Sequence, residues 1–279
     1  MHAVEPVSVL ELFAGEREAL VRLLSTLSAA QWQAPTACAG WTVKDIAVHL
    51  LGDDVGLLSR ERDAFDDPEF ARVSVHNFDD LVGLLNGIND LWVRAARRIS
   101  PRLLAELLDW SGQATLAYFK SVDLHAPGER VSWAGPGPAP GWLSVAREYT
   151  ERWVHQQQIR DTVGQPGLKE PRWFAPVLAT FMRALPHTLR DVPAPLGTVL
   201  RVIVAGAAGG VWDAVRLADG WMLAHAVSGQ PTATARLDQE SAWRLFTKGL
   251  TKEEVRGTAT LSGDLALADK ALDMVAIIA

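Results

Sequence analysis

Apolar and polar positions follow one grammar up to about residue 192 and another from about residue 198. In the first stretch the apolar residues recur every three or four positions, as on one face of a helix. In the second they form short runs broken by turn residues, as in strands. Leu10, Phe13, Leu20, Leu23, Leu24 and Leu27 predict a first helix from about Val9 to Ala30, opened by a Ser8/Glu11 capping box. Pro35 and Gly40 mark a loop. Thr42, with Asp45 three residues on, then caps a second helix that carries Ile46, His49, Leu50, Asp53 and Leu57 on one face. Asp63 to Asn77 reads as an irregular loop bordering a pocket, and Asn77 with Asp80 opens a third helix from about Phe78 to Ile99. Ser100-Pro101 is a cap-and-first-turn pair for a helix reaching about Ser121. The stretch from His125 to Gly141 is too rich in Pro and Gly to be helical. A helix from near Trp142 to Val163 ends at Gly164, and another opens at Glu170-Pro171 and ends before Pro193.

The second stretch predicts strands over Thr198 to Ala205, Val211 to Leu217, Trp221 to Val227, Ala233 to Leu237 and Thr258 to Ser262. Asp219-Gly220 between two apolar runs is a hairpin turn. Asp238 and Asp264 cap helices. The fold class is therefore α+β, a helical bundle followed by a small domain with an antiparallel sheet. The expected division is a bundle over 1–165, a connecting helix over 166–195 and the α+β domain over 196–279.

Composition narrows the function classes. A formal charge of −6 leaves no basic footprint for nucleic acid or an anionic membrane surface. No apolar run approaches the roughly 20 residues of a membrane span, and no leader pattern precedes the first helix, so a cytoplasmic location is expected. Cys38 is the single cysteine, which excludes an internal disulfide and a Cys-rich zinc knuckle. A metal would have to be held by His and carboxylate.

Glu151 and His155, four apart on a predicted helix, project from one face. With His49 from a facing helix they would make a His/His/Glu set with open positions, the arrangement of catalytic zinc. Glu148 and Gln158 share that face and are candidates to orient a ligand. Spacing alone equally describes a solvated Glu-His helix pair and a hydrogen-bonded core histidine. Cys38 reads either as a nucleophile ahead of a helix N-terminus or as a small plug, and the lack of a histidine close in sequence favours the plug. Neither Gly-rich segment has the form of a phosphate loop.

Trp32-x-x-Pro-x-x-Cys38-x-Gly40-Trp41-Thr-Val-x-Asp45-x-x-x-His49-Leu, followed by Glu151-x-x-x-His155, resembles the mycothiol-dependent maleylpyruvate isomerase family of actinobacteria, a branch of the DinB-like metal-binding four-helix bundles. Asp219-Gly220-Trp221, the Leu237-Asp238 helix start and Ser262-Gly263-Asp264 are similar to that family's C-terminal, sterol-carrier-like domain. The resemblance implies a metal triad at His49, Glu151 and His155, a divalent metal such as zinc, and mycothiol as thiol cofactor or cosubstrate. Gln158-Ile159 departs from the Asp-Ile step of many members.

Three readings follow. A metal-stabilised thiolate would act on a small electrophilic substrate either as a cis-trans isomerase or as an S-transferase. The third reading is a non-catalytic metal- and ligand-binding protein with a regulatory role. Arg244, Arg256 and Arg94 are candidates to hold a substrate or cofactor carboxylate. The oligomeric state is open.

Overall fold

The computed structural model describes residues 4–65, 76, 78–135, 137–225 and 227–277. These divide into two units. One is helical and takes residues 9–122 and 151–167; the other takes residues 4–8, 123–150 and 168–277.

The helical unit begins with α1 (Leu10–Ser25), the single turn α2 (Ala29–Trp32) and α3 (Val43–Leu57). The first helix is shorter than its apolar pattern predicts, and among the described residues no side chain caps its start. It ends early because Ser28 and Gln31 form a capping box of their own and start α2. Thr42 and Asp45 form the expected capping box at α3. Beyond Leu57 the helix widens into one π turn, Leu58–Arg62, just ahead of the expected loop. Residues 66–75 and 77, on which most of that loop and the Asn77 cap fall, lie outside the described residues. α4 (Phe78–Ala96) and α5 (Pro101–Ser121) follow, with Ser100 accepting from the Leu103 amide ahead of Pro101. Leu20, Leu24, Ile46, Leu50, Leu104 and Leu108 are buried together at the centre, with Ile159 from a later helix.

The second unit contains a two-stranded ribbon, β1 (Pro127–Arg130) and β2 (Pro138–Pro140), inside the Pro- and Gly-rich stretch. α6 (Gly141–Val163) then runs from this unit into the helical one and stops at Gly164, whose φ of +67° suits glycine. α7 (Pro171–Phe181) and α8 (Leu185–Thr188) precede β3 (Val199–Ala205), β4 (Gly210–Leu217), β5 (Gly220–His225) and β6 (Ala233–Asp238). α9 (Gln239–Phe246), α10 (Lys252–Arg256), β7 (Thr260–Gly263) and α11 (Leu265–Lys270) complete it. Sequence reading missed α10, whose Thr251/Glu254 capping box is a usable signal. The sheet order is β5-β4-β3-β6-β7, and three of its pairings are antiparallel. The exception is β3 with β6, which run parallel because the chain returns past β3 after the β3-β4-β5 meander. Among the described residues no helix is long and apolar enough to cross a membrane.

Candidate metal centre

The start of α3 is held from several sides. Asp45 caps it through Thr42 and takes a bidentate pair from Arg97, at 2.7 and 3.0 Å. Burial pushes the Asp45 carboxyl up, but Arg97 and Thr42 outweigh it and leave it below its usual value. With the first turn fixed, the second turn presents His49, which is 5% exposed. Trp41 lies against the imidazole with ring centroids 5.1 Å apart, which gives the Gly40-Trp41 step of the motif a packing role.

On α6, Glu151 and His155 come to the same point. His155 Nε2 is 2.9 Å from Glu151 Oε1, and His49 Nε2 is 3.6 Å from that oxygen. The two imidazoles meet edge to face at 4.7 Å. One ligand atom from each of the three residues lies within 4.8 Å of the others. His49 Nε2 also sits 3.1 Å from Asp53 Oδ2, one turn further along α3. Asp53 was visible on the His49 face but carried no assignment from sequence; its i,i+4 spacing to His49 is the available signal. Glu151 keeps 35% of its side chain exposed and His155 12%, so the cluster opens to solvent on the Glu151 side.

The donor set asks for a cation. The Gln158 carboxamide oxygen lies 2.7 Å from His155 Nδ1 and has no proton to give, so Nδ1–H donates to it. A neutral His155 would then turn the lone pair of Nε2 on a carboxylate, and only a proton or a metal ion between them relieves that contact. The titration preferences agree. Burial raises the Glu151 carboxyl, yet hydrogen bonds and charge from His155 and His49 hold it well below its usual range. Burial lowers His155, yet hydrogen bonds with Cys38 and Glu151 hold it well above its usual value. The residues present fit a divalent ion.

Sequence distance misled about Cys38. Its thiol donates to the same Gln158 oxygen at 3.2 Å and lies beside His155, so a histidine does adjoin it in space. Of the two candidates for orienting a ligand, Gln158 makes the contact, while Glu148 pairs with Arg147. Arg94 pairs with Asp90 on the exposed face of α4. In the second unit Arg244 lies over Trp243 and 3.8 Å from Glu240, and Arg256 pairs with Asp269 at 3.1 Å.

A second polar row on α6 went unread. Arg152, Gln156 and Arg160 are spaced i, i+4, i+8 and are all buried. Arg152 bonds Asp54 of α3 at 2.6 Å, and Asp54 also takes Arg17 of α1 at 2.7 Å and the Ser111 hydroxyl of α5 at 2.6 Å. A Cβ on Gly112 would lie 2.6 Å from Arg17 Cγ, so glycine is what lets that side chain through. Gln156 donates to Glu16 Oε1 at 2.6 Å and accepts from Arg160. Glu16 is fully buried, and its Oε2 has no hydrogen-bond partner among the described residues. Burial raises its pKa despite the nearby Arg17 and Arg152. A raised folded pKa means that Glu16 costs stability as pH rises through that value. Glu16→Gln is therefore expected to be more stable than the parent at neutral pH, with the advantage vanishing in acid. Urea unfolding at several pH values reads this directly; a parent that is the more stable at neutral pH contradicts it.

Comparison with known proteins agrees with this architecture. The family described as the mycothiol maleylpyruvate isomerase N-terminal domain matches residues 13–160. Among curated proteins none matches the sequence. The crystal structure of a mycothiol-dependent maleylpyruvate isomerase aligns over 85% of this chain and 86% of its own, with a TM-score of 0.51 and 13% identity. A mutant of such an isomerase aligns over the same shares with a TM-score of 0.49 and 12% identity. The first of these likenesses is one of fold.

Proposed function

The chain belongs to the mycothiol maleylpyruvate isomerase family through its N-terminal domain, residues 13–160, and on that footing we propose that it is a metal-dependent enzyme using mycothiol on a small electrophilic substrate. The observation that carries this reading is the convergence of His49, Glu151 and His155 on one solvent-facing point. Two imidazoles and one carboxylate are a zinc-like donor set, and the same ligands also suit nickel, manganese or iron. The ion would supply Lewis acidity that keeps a thiol sulfur deprotonated at neutral pH. The thiol would supply a nucleophile for an activated cis double bond, leaving again in an isomerisation or staying attached in an S-transfer.

The chain's own residues do the rest. Gln158 holds the His155 proton on Nδ1 and so points Nε2 at the site. Trp41 restrains the His49 ring. Asp53 and Glu151 set a negative charge beside both imidazoles. Arg244 and Arg256, which lie beside Glu240 and Asp269, stay candidates to hold a substrate carboxylate. The proposed setting is cytoplasmic.

Gln158→Leu keeps the side chain's bulk but removes the acceptor for Nδ1–H. Metal affinity is expected to fall by about 10–100-fold, the usual cost of losing such a partner. Competition with a chromophoric chelator measures it, and unchanged affinity contradicts the orienting role. The function itself is tested by supplying metal-loaded protein with mycothiol and maleylpyruvate. Cis-to-trans conversion that needs both metal and thiol, without net thiol consumption, is the expected result. Stoichiometric thiol loss would make it a transferase, and turnover without either component would sink the proposal.

A further inference from the structure

Close backbone packing in the helical unit joins α1 to α5, α3 to α5 and α3 to α4. α6 meets α1 and α3 through Ile159 in the shared core and through long polar side chains: Arg152 to Asp54, Gln156 to Glu16, and Arg160 to the Ala19 carbonyl. The Arg17–Asp54–Arg152 bridge is the buried centre of that contact, since Asp54 is 0% exposed, Arg152 2% and Arg17 5%. Arg152 follows Glu151 directly, and Asp54 follows Asp53, the carboxylate beside His49, so one bond ties α3 to α6 next to Glu151 and five residues beyond His49.

Small errors matter here. A side-chain tip about 5–6 Å from the helix axis moves roughly 2 Å when the helix turns by about 20°. A metal site tolerates only about 0.2 Å in its bond lengths. Apolar burial is non-directional, whereas the hydrogen bonds of a buried ion pair fix both distance and angle. Buried Arg–carboxylate–Arg triads also add little net stability over well-packed hydrocarbon, which leaves the presence of one here to be explained by what it fixes.

We infer that Arg17, Asp54 and Arg152 are positioning residues that set the rotation and height of α6 against α3, and so hold Glu151 and His155 at the distance from His49 that one divalent ion requires. The inference rests on the metal reading of that cluster but not on the reaction. Neither arginine nor Asp54 touches the metal or the substrate in this account; they act through the two helices.

The test is a triple variant, Arg17→Met with Asp54→Leu and Arg152→Met, which fills the same space with hydrocarbon. It is expected to melt no lower than the parent by circular dichroism. Two readouts that mere stability would not move are then taken. In metal-free protein, ring ¹⁵N–¹H correlation spectra of His49 and His155 should shift away from those of the parent. Added Co²⁺ should bind at least tenfold more weakly, with an altered visible spectrum. A folded triple variant with unshifted rings and Co²⁺ affinity within twofold of the parent overturns the inference. Should the triple variant not fold, Asp54→Asn, read below its own melting temperature, is held to the same two criteria with a smaller expected shift. If the parent itself binds no Co²⁺, the metal reading fails, while the ring spectra still decide whether the bridge positions the cluster.

Discussion

Replacing His155 with alanine is expected to leave the purified protein without bound metal and without thiol-dependent activity, while its far-ultraviolet circular dichroism stays that of the parent. The side chain is 12% exposed and its removal opens a space next to solvent, so the fold loses little. The site loses much. With Nε2 of His155 gone, His49 and Glu151 remain, and two ligands make a weak site for zinc. Losing a ligand must cost more than losing a partner behind one, so the drop in affinity exceeds the 10–100-fold expected for Gln158→Leu. Elemental analysis after gel filtration checks it. Parent-like metal content in His155→Ala would place the ion elsewhere and remove the basis of the proposed chemistry. Binding should also weaken in acid, because the elevated pKa of His155 means that a proton must leave before an ion can enter.

Asp54→Ala should produce the largest loss of fold stability. The carboxylate is the shared acceptor for Arg17 and Arg152, and none of the three side chains reaches bulk water to any useful extent. Its removal takes the shared carboxylate from two guanidinium groups in the core and leaves the Ser111 hydroxyl without the carboxylate it donates to. Breaking a buried pair by deleting one partner costs about 3–5 kcal/mol, several times a typical surface substitution. Guanidinium unfolding followed by tryptophan fluorescence reads the loss, and a cost below about 1 kcal/mol would show that water reaches the bridge. The pH dependence has a definite sign. Burial raises the Asp54 carboxyl, but Arg17 and Arg152 outweigh it and leave the folded pKa below its ordinary value. The bridge therefore contributes its full stability above the unfolded pKa of about 3.9 and loses it as pH falls through the lower folded value. Part of the parent's acid sensitivity below that point should be missing in Asp54→Ala.

Most of the architecture could be read from the residues because local signals and the tertiary fold agree. Thr42/Asp45, Ser100-Pro101, Gly164, Asp219-Gly220, Asp238 and Asp264 each mark a boundary within a residue or two of where it lies. α2 and α10 were missed despite local capping boxes, whereas the other misses have their reason far away in sequence. Nothing local distinguishes β6 beside β3 in parallel from β6 at a sheet edge, because pairing partners are set by the whole chain. Cys38 looked solitary since its neighbours Gln158 and His155 come from another helix. The second polar row of α6 was the most readable omission. Arg152, Gln156 and Arg160 repeat at helical spacing beside Glu151, His155 and Gln158, and a helix polar on two adjacent faces must bury one of them if it sits inside a bundle. For the site, Glu-x-x-x-His placed two donors on one face, His49 joined them as a donor expected from a facing helix, and the family resemblance implied the same three; the geometry brings His49 Nε2 to 3.6 Å from Glu151.

The most direct test of the account is titration of the cobalt-substituted protein with mycothiol, followed by electronic absorption. If His49, Glu151 and His155 hold an ion with a position open to a thiol, an intense sulfur-to-cobalt band should grow with added mycothiol and saturate at one thiol per metal. A protein that carries one cobalt per chain yet shows no such band at saturating thiol would contradict the claim that this cluster activates a thiol sulfur.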